Sequence, residues 1–95
     1  MTTPPTESVA RSVRIANRYG LHARPAAEFV KTANRFQADV FVRRADLEVN
    51  GKSIMGMMML AAECGSEITI RADGADSETA VAELVRLVEN RFGED

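Results

Sequence analysis

One histidine, one arginine and one proline stand close together early in the chain, at His22, Arg24 and Pro25. Pro25 falls in the first turn of a predicted helix, where its missing backbone N–H costs no hydrogen bond. The remaining free N–H groups of that turn, together with the positive end of the helix dipole, favour a bound anion. Arg24 can hold two phosphate oxygens in a two-point contact. This arrangement predicts an imidazole that accepts a phosphoryl group beside a phosphate-binding turn.

The same histidine also has an ordinary structural interpretation. A lone histidine at the start of a helix is more often a polar cap than a nucleophile. His22 is the only histidine and Cys64 the only cysteine, so neither a metal nor another cofactor is expected. Spacing assigns no carboxylate to His22 as a general base. On the residues alone, capping and phosphoryl acceptance both remain open.

A second group of candidates begins at Ser53, directly before the apolar run from Ile54 to Leu60. The run predicts a short helix with Ser53 as its N-cap. A phosphate on this serine would be stabilised by the helix dipole, but its charge would weaken the docking of an acidic partner. A helix buries only one face, so some of the four methionines in the run must be exposed. Flexible thioethers suit a surface that docks several partners in turn.

The elements that must position these residues are short and alternate between strand and helix. Alternating apolar residues predict strands around residues 13–15, 40–42, 47–49 and 68–70. Apolar residues three and four positions apart predict helices over 23–36 and 54–60, and a last helix from the cap Ser77 through Phe92. The order β-α-β-β-α-β-α indicates an α+β fold, in which a mostly antiparallel sheet carries its helices on one face.

Length and composition restrict the class of protein further. A chain of 95 residues with 45% hydrophobic and 27% charged residues is one globular domain. The net charge of −2 and the few aromatic residues argue against nucleic-acid binding. The chain shows neither a membrane-spanning apolar run nor a secretory signal, so we expect a cytoplasmic protein without membrane insertion. Two prolines and few apolar side chains predict a flexible tail at residues 1–7, followed by the domain at 8–95.

Two motifs resemble one known family. The run Gly20-Leu21-His22-Ala23-Arg24-Pro25-Ala26 resembles the phosphorylation-site signature of HPr, the phosphocarrier of the bacterial phosphoenolpyruvate-dependent phosphotransferase system (PTS). The run Asn50-Gly51-Lys52-Ser53-Ile54-Met55-Gly56 resembles the regulatory-serine segment of that family. The resemblance extends over residues 9–92. It implies an open-faced β-sandwich with a four-stranded antiparallel sheet and three helices on one face.

The resemblance implies a phosphocarrier with a transient phosphohistidine rather than a self-sufficient enzyme. His22 would take a phosphoryl group on Nδ1 from phospho-enzyme I, which obtains it from phosphoenolpyruvate, and pass it to enzyme IIA domains for sugar uptake and phosphorylation. Arg24 would steady the phosphate, and Ser53 would be modified by an HPr kinase/phosphorylase. We expect a monomer. The implied exposed docking surface comprises Leu21, Ala23, Ala27, Lys31, Ile54, Met55 and Met58.

Two alternatives to a role in sugar transport stay open. One is a nitrogen-type paralogue of the same system, whose phosphorylation state regulates other proteins. The other is an α+β binding module in which His22 is only a cap and is never phosphorylated.

Overall fold

The fold is described from a computed structural model for residues 7–94. Its element order confirms the predicted β-α-β-β-α-β-α pattern and ends in a short 3-10 turn. Apart from Glu7, the predicted tail lies outside the described residues. The elements are β1 (Ser8–Arg14), α1 (Ala23–Ala33), β2 (Asp39–Arg44), β3 (Leu47–Asn50), α2 (Ile54–Met59), β4 (Glu67–Asp73), α3 (Ser77–Glu89) and the 3-10 turn η1 (Arg91–Gly93).

The four strands form one antiparallel sheet in the order β1-β4-β2-β3. The predicted hairpin of β2 and β3 is present, with Val42 opposite Val49. The first strand lies beside the last, with Val13 opposite Ile68. Because β1 and β3 are the two edges, both segments that follow them, one leading to α1 and one to α2, leave the sheet from its margins.

The three helices cover one face of this sheet and close the core. α3 packs on β1 and β4, while α1 packs against both α2 and α3. Every second residue of the central strands points into the core, which is why their sequences alternate. Within the described residues, no helix has both the length and the apolarity that crossing a membrane requires. The largest fully buried hydrophobic side chains are Phe29, Ile15, Met57, Leu60, Ile68, Ile70, Leu84, Val40, Val42, Val81 and Val88.

The first helix is shorter than predicted. It ends at Ala33 instead of Phe36, and the next N–H groups, of Arg35 and Phe36, donate to carbonyls three residues back instead of four. Phe36 follows the helix and packs, partly buried, against the core. The apolar spacing therefore identified a core residue correctly but continued the helix one turn too far.

The predicted cap of the last helix was also wrong. Ser77 is the first helical residue and is fully buried, and Asp76 holds the N-cap position. The Asp76 carboxylate accepts hydrogen bonds from the backbone N–H groups of Gln37 (2.9 Å) and Ala38 (2.8 Å). These two bonds lower the pKa of Asp76 below its ordinary value of 3.8. The aspartate therefore ties the segment after α1 to the start of α3.

The chain reverses direction after α3. The helix ends at Glu89, and three successive residues then adopt left-handed backbone angles: Arg91 (φ 57°), Phe92 (φ 54°) and Gly93 (φ 75°). Phe92 is buried as predicted, although it lies outside the α-helix. The reversal anchors the end of the chain in the core and directs Glu94 back toward the start of α1.

Candidate functional site

The loop that carries the histidine rests directly on the backbone that follows α2. Gly20 has a φ of 67°, and a Cβ there would meet the Ala62 carbonyl oxygen and come within 2.9 Å of Glu63 Cα. The N–H of the next residue, Leu21, donates to the same Ala62 carbonyl at 2.8 Å. Only glycine combines this backbone angle with so close an approach. The Gly-Leu pair therefore fixes where α1 begins.

His22 occupies the N-cap position of α1, but its side chain makes no capping hydrogen bond. Its Nε2 instead lies 2.9 Å from Oε1 of Glu94, and the imidazole is 41% exposed. A neutral imidazole that donates from Nε2 carries its lone pair on Nδ1. The contact with Glu94 thus leaves Nδ1 available as a nucleophile, and it replaces the capping role that the isolated residue suggested.

Glu94 is held by more than the histidine. Its Oε1 also accepts a hydrogen bond from Asn17 Nδ2 at 3.0 Å, and the same amide donates to the Gly20 carbonyl at 2.7 Å. Asn17 is fully buried. The hydrogen bond with His22, and after it the one with Asn17, lowers the pKa of Glu94 below its ordinary value of 4.5. Glu94 is therefore a fixed negative charge on the Nε2 side of the ring.

Arg24 lies on the first turn of α1 with most of its side chain in solvent. Its Nη1 is 3.7 Å from Oε2 of Glu94, a long contact for an ion pair, and its side chain is 70% exposed. Such an exposed pair constrains the guanidinium little. Arg24 can consequently leave Glu94 and turn its N–H groups toward phosphate oxygens when a phosphoryl group is present on the ring.

Tyr19 forms a side of the site that the sequence did not indicate. Its ring stands edge-on to the imidazole of His22, with the ring centres 6.3 Å apart and the planes at 88°. The guanidinium of Arg18 lies over the Tyr19 ring at 5.4 Å. The tyrosine is largely exposed, so it is a surface feature of the site and not part of the core.

Ser53 caps α2 as predicted. Its hydroxyl accepts a hydrogen bond from the Gly56 N–H at 3.1 Å, and its own N–H donates to the Asn50 carbonyl at 3.1 Å. The neighbouring Lys52 is tied to the segment after α1 by a 2.7 Å bond from Nζ to the Phe36 carbonyl. The serine is therefore placed by bonds on both sides, with its hydroxyl at the start of the methionine-rich helix.

Helix α2 presents an apolar surface, which we call the methionine face: Ile54, Met55, Met58 and Met59. These four exposed side chains line a shallow depression of about 560 Å³. The exposure of the first three agrees with the expected docking surface, and Met59 adds to it. Met57 faces the opposite way and is fully buried.

One residue of the expected docking surface was wrongly assigned. Leu21 is only 5% exposed, and its side chain belongs to the hydrophobic core. The α1 residues Ala23, Ala27 and Lys31 are exposed, as expected. Since α1 packs against α2, these three residues and the methionine face belong to adjoining helices.

Sequence reasoning also missed Glu94 and Asn17. Glu94 is 72 positions from His22, and no periodicity links the two. Asn17 gave no signal of this role, because buried amides that organise loops have the same sequence context as ordinary turn residues. Within residues 7–94, no group of three histidine, cysteine or acidic side chains is placed to hold a metal ion.

The fold and the site define a small α+β domain that presents one histidine at the start of a helix, between a carboxylate and an arginine. Residues 9–90 match the family described as "PTS HPr component phosphorylation site". The chain belongs to this HPr family, the phosphocarriers of the phosphotransferase system.

Individual relatives agree with this assignment. The chain is 45% identical over 87 residues to the phosphocarrier protein HPr of Treponema pallidum, covering 92% of this chain and 99% of the relative. The crystal structure of HPr-C-His from Thermoanaerobacter tengcongensis superposes with a TM-score of 0.88 at 44% identity, covering 92% and 98% of the two chains. An HPr dimer from the same organism gives a TM-score of 0.74 at 46% identity, covering 86% and 94%.

Proposed function

We propose that this protein accepts a phosphoryl group on Nδ1 of His22 from phospho-enzyme I and passes it to enzyme IIA domains, in the cytoplasm, for sugar uptake and phosphorylation. The observation that carries the proposal is the 2.9 Å contact between His22 Nε2 and Glu94 Oε1. Nε2 is engaged in a hydrogen bond with a carboxylate, so the lone pair of Nδ1 stays free to form a bond to phosphorus.

The proposed transfer needs little catalytic machinery on this chain. The Nδ1 lone pair forms a bond to phosphorus while the bond between phosphorus and the donor nitrogen of enzyme I breaks, and the donor nitrogen keeps that electron pair. The phosphorylated ring is positively charged while Nε2 keeps its proton, and Glu94 stabilises this charge. Arg24 and the free N–H groups of the first turn of α1 stabilise the phosphate oxygens. The reverse steps deliver the group to an acceptor.

We further propose that partners dock on the exposed side chains of α1 and on the methionine face. On α1 these side chains are Ala23, Ala27 and Lys31. The methionine face supplies an apolar area without charge, which suits partners of different shape because thioether side chains repack readily.

Ser53 is proposed as the regulatory site of an HPr kinase/phosphorylase. Its hydroxyl lies at the N-terminus of α2, directly before the methionine face. A phosphate there would be favoured locally by the helix dipole, but its charge would oppose an acidic partner on the neighbouring surface. The fold would survive while docking weakens.

The central proposal is tested with purified enzyme I and phosphoenolpyruvate. The expected product carries one phosphoryl group that is lost in acid and stable in alkali, and NMR places it on Nδ1. The variant His22→Ala should take up none, whereas Ser53→Ala should still be phosphorylated. An unmodified wild-type protein, or a phosphorylated His22→Ala, would contradict the proposal.

The transport role has its own test. Restoration of sugar uptake in cells that lack HPr supports it, and phosphorylation without restored uptake favours the regulatory paralogue.

We propose that the acting form is a monomer, because the relay needs His22 and the methionine face accessible at once. Light scattering after size exclusion decides this, and a dimer of the kind solved for Thermoanaerobacter tengcongensis would contradict it.

A further inference from the structure

Helix α2 divides its four methionines between solvent and core. Met55, Met58 and Met59 are 75%, 45% and 63% exposed, whereas Met57 is 0% exposed. The exposed three stand at positions i, i+3 and i+4, so they share one side of the helix. Six residues of α2 thus contain three thioethers within reach of solutes and one that is shielded.

We propose that Met55, Met58 and Met59 form an oxidation site, at which a peroxide converts the methionine face into a polar surface and weakens docking. The consequence for docking rests on the proposed function, whereas the oxidation itself does not. The three side chains are exposed in the folded protein, so a peroxide can approach them without unfolding.

The chemistry needs only hydrogen peroxide or an alkyl hydroperoxide. A sulfur lone pair attacks one peroxide oxygen, a sulfur–oxygen bond forms and the oxygen–oxygen bond breaks. The departing oxygen takes up a proton and leaves as water or as an alcohol. Sulfur is oxidised by two electrons and the peroxide is reduced by two. Methionine sulfoxide reductases reverse the change with electrons from thiols, which are oxidised to a disulfide while the sulfoxide oxygen leaves as water.

The fold should survive this oxidation because the core methionine is protected. Met57 is buried in the main hydrophobic cluster, and its backbone N–H donates to the Ser53 carbonyl at 2.9 Å. The Ser53 cap of α2 contains no sulfur. Sulfoxide oxygens on the other three side chains would project into water, where they are solvated at no cost to packing.

Docking should suffer because the methionine face is apolar throughout. The depression is lined only by Ile54, Met55, Met58 and Met59. A sulfoxide buried there against a partner loses its water, and an unpartnered polar group is expensive to bury. We expect a loss in affinity of roughly ten-fold for each buried sulfoxide that finds no hydrogen-bond donor.

The experiment uses the full chain with Cys64→Ser, because Cys64 is an exposed thiol that would also consume peroxide. Hydrogen peroxide is added to the folded protein, and peptide mass spectrometry locates the oxygen. The expected result is sulfoxide at Met55, Met58 and Met59 with Met57 unmodified, an unchanged circular dichroism spectrum and earlier elution from a hydrophobic-interaction column. The KM for phosphorylation by enzyme I should rise about ten-fold or more.

Two variants serve as controls, each compared before and after peroxide. A protein with Met55→Leu, Met58→Leu and Met59→Leu keeps an apolar face that cannot be oxidised, so neither its column retention nor its KM should change on treatment. A protein with Met57→Leu should respond to peroxide as the parent does. Treatment of the oxidised parent with the two methionine sulfoxide reductases should restore its retention and KM.

Different results overturn the two proposals. If the untreated protein takes up no phosphoryl group, the proposed function fails, and column retention still tests the oxidation site. If Met57 is oxidised together with its neighbours, or if retention is unchanged after oxidation, the oxidation site is wrong. If the untreated protein is phosphorylated and oxidation leaves its KM unchanged, the proposed function stands and the effect on docking is refuted.

Discussion

His22 Nε2 lies 2.9 Å from Glu94 Oε1, across 72 positions of the chain. Three features bring this pair together: the left-handed turn at residues 91–93, the burial of Phe92, and the bond from Asn17 to the same carboxylate oxygen. The carboxylate contacts Nε2, whereas Nδ1 is the ring nitrogen that is proposed to carry the phosphoryl group. Under the proposed function, this contact would set which ring nitrogen is nucleophilic.

Replacing Glu94 should lower the rate at which enzyme I phosphorylates the protein. Glu94→Ala frees the ring to adopt either tautomer, so we expect a loss of roughly ten-fold or more, the effect of one charge-assisted hydrogen bond. Nitrogen NMR of His22 should show a smaller fraction of the Nε2–H form. Glu94→Gln keeps an acceptor oxygen and should be closer to the parent in tautomer fraction. If Glu94→Ala leaves the fraction of the Nε2–H form unchanged, Glu94 does not set the tautomer of His22.

The carboxyl of Glu94 should titrate below its ordinary pKa of 4.5, chiefly because of the hydrogen bond with His22. Since the folded-state pKa is the lower one, this interaction stabilises the fold fully above about pH 4.5 and loses its effect as the pH falls through the folded pKa. Carbon NMR of the side chain measures the midpoint. His22→Ala should raise it, and Asn17→Ala should raise it less. A midpoint unmoved by His22→Ala would contradict the contact.

Arg24→Lys should slow phosphoryl transfer while leaving stability almost unchanged. The guanidinium is 70% exposed and makes only a 3.7 Å contact in the unphosphorylated protein, so its removal costs the fold little. An ammonium cannot make the two-point contact with phosphate. Transfer rates and urea unfolding measured on the same preparations separate these effects. If the transfer rate and the stability fall together, Arg24 has a structural role.

Ser53→Ala should destabilise the protein by about 1 kcal/mol, the usual contribution of an N-cap side chain. The lost bond is the one from the Gly56 N–H to the serine hydroxyl. Ser53→Asp is the matched control, because aspartate is an equally good cap and should retain most of the stability while adding a charge. Thermal unfolding of the two variants provides the comparison, and equal melting temperatures would contradict the cap.

Met57→Ala should destabilise the protein by about 2–5 kcal/mol, since it removes a fully buried side chain and leaves a cavity. Met55→Ala is the matched control on the same helix. Its side chain is 75% exposed, so the free energy of unfolding should change by about 0.5 kcal/mol or less. Similar losses in both variants would mean that α2 is rotated relative to the orientation described.

Periodicity predicted most of the fold because the helices and strands each bury one face. The alternation around Val42 and Ile70 placed two strands, and the three- and four-residue steps through Phe29 and Leu84 placed two helices. Helix ends were less predictable, because the bonds made by the Asp76 cap, for example, form only when two distant segments meet in space. The order of the strands in the sheet could not be predicted either, because it depends on contacts between distant segments.

The candidate site likewise has one part that the sequence predicted and one part that it did not. Local chemistry and two motifs predicted His22, Arg24 and Ser53, and the structure confirms the capping role of Ser53. Leu21 was misassigned because a motif does not show which way a side chain points. Glu94 and Asn17 could not be identified, since the contacts that join them to the histidine exist only after the chain end has folded back.

Gly20 packs closely against the backbone at Ala62 and Glu63, so the histidine loop and the turn after α2 should move together. The lone thiol of Cys64 lies on that turn, is exposed, and is 3.8 Å from the Ala16 carbonyl of the histidine loop. A fluorophore attached to this natural cysteine would therefore lie beside the loop that holds His22, without any engineered residue. The protein carries its own labelling position for measuring whether that loop moves when His22 or its partners change.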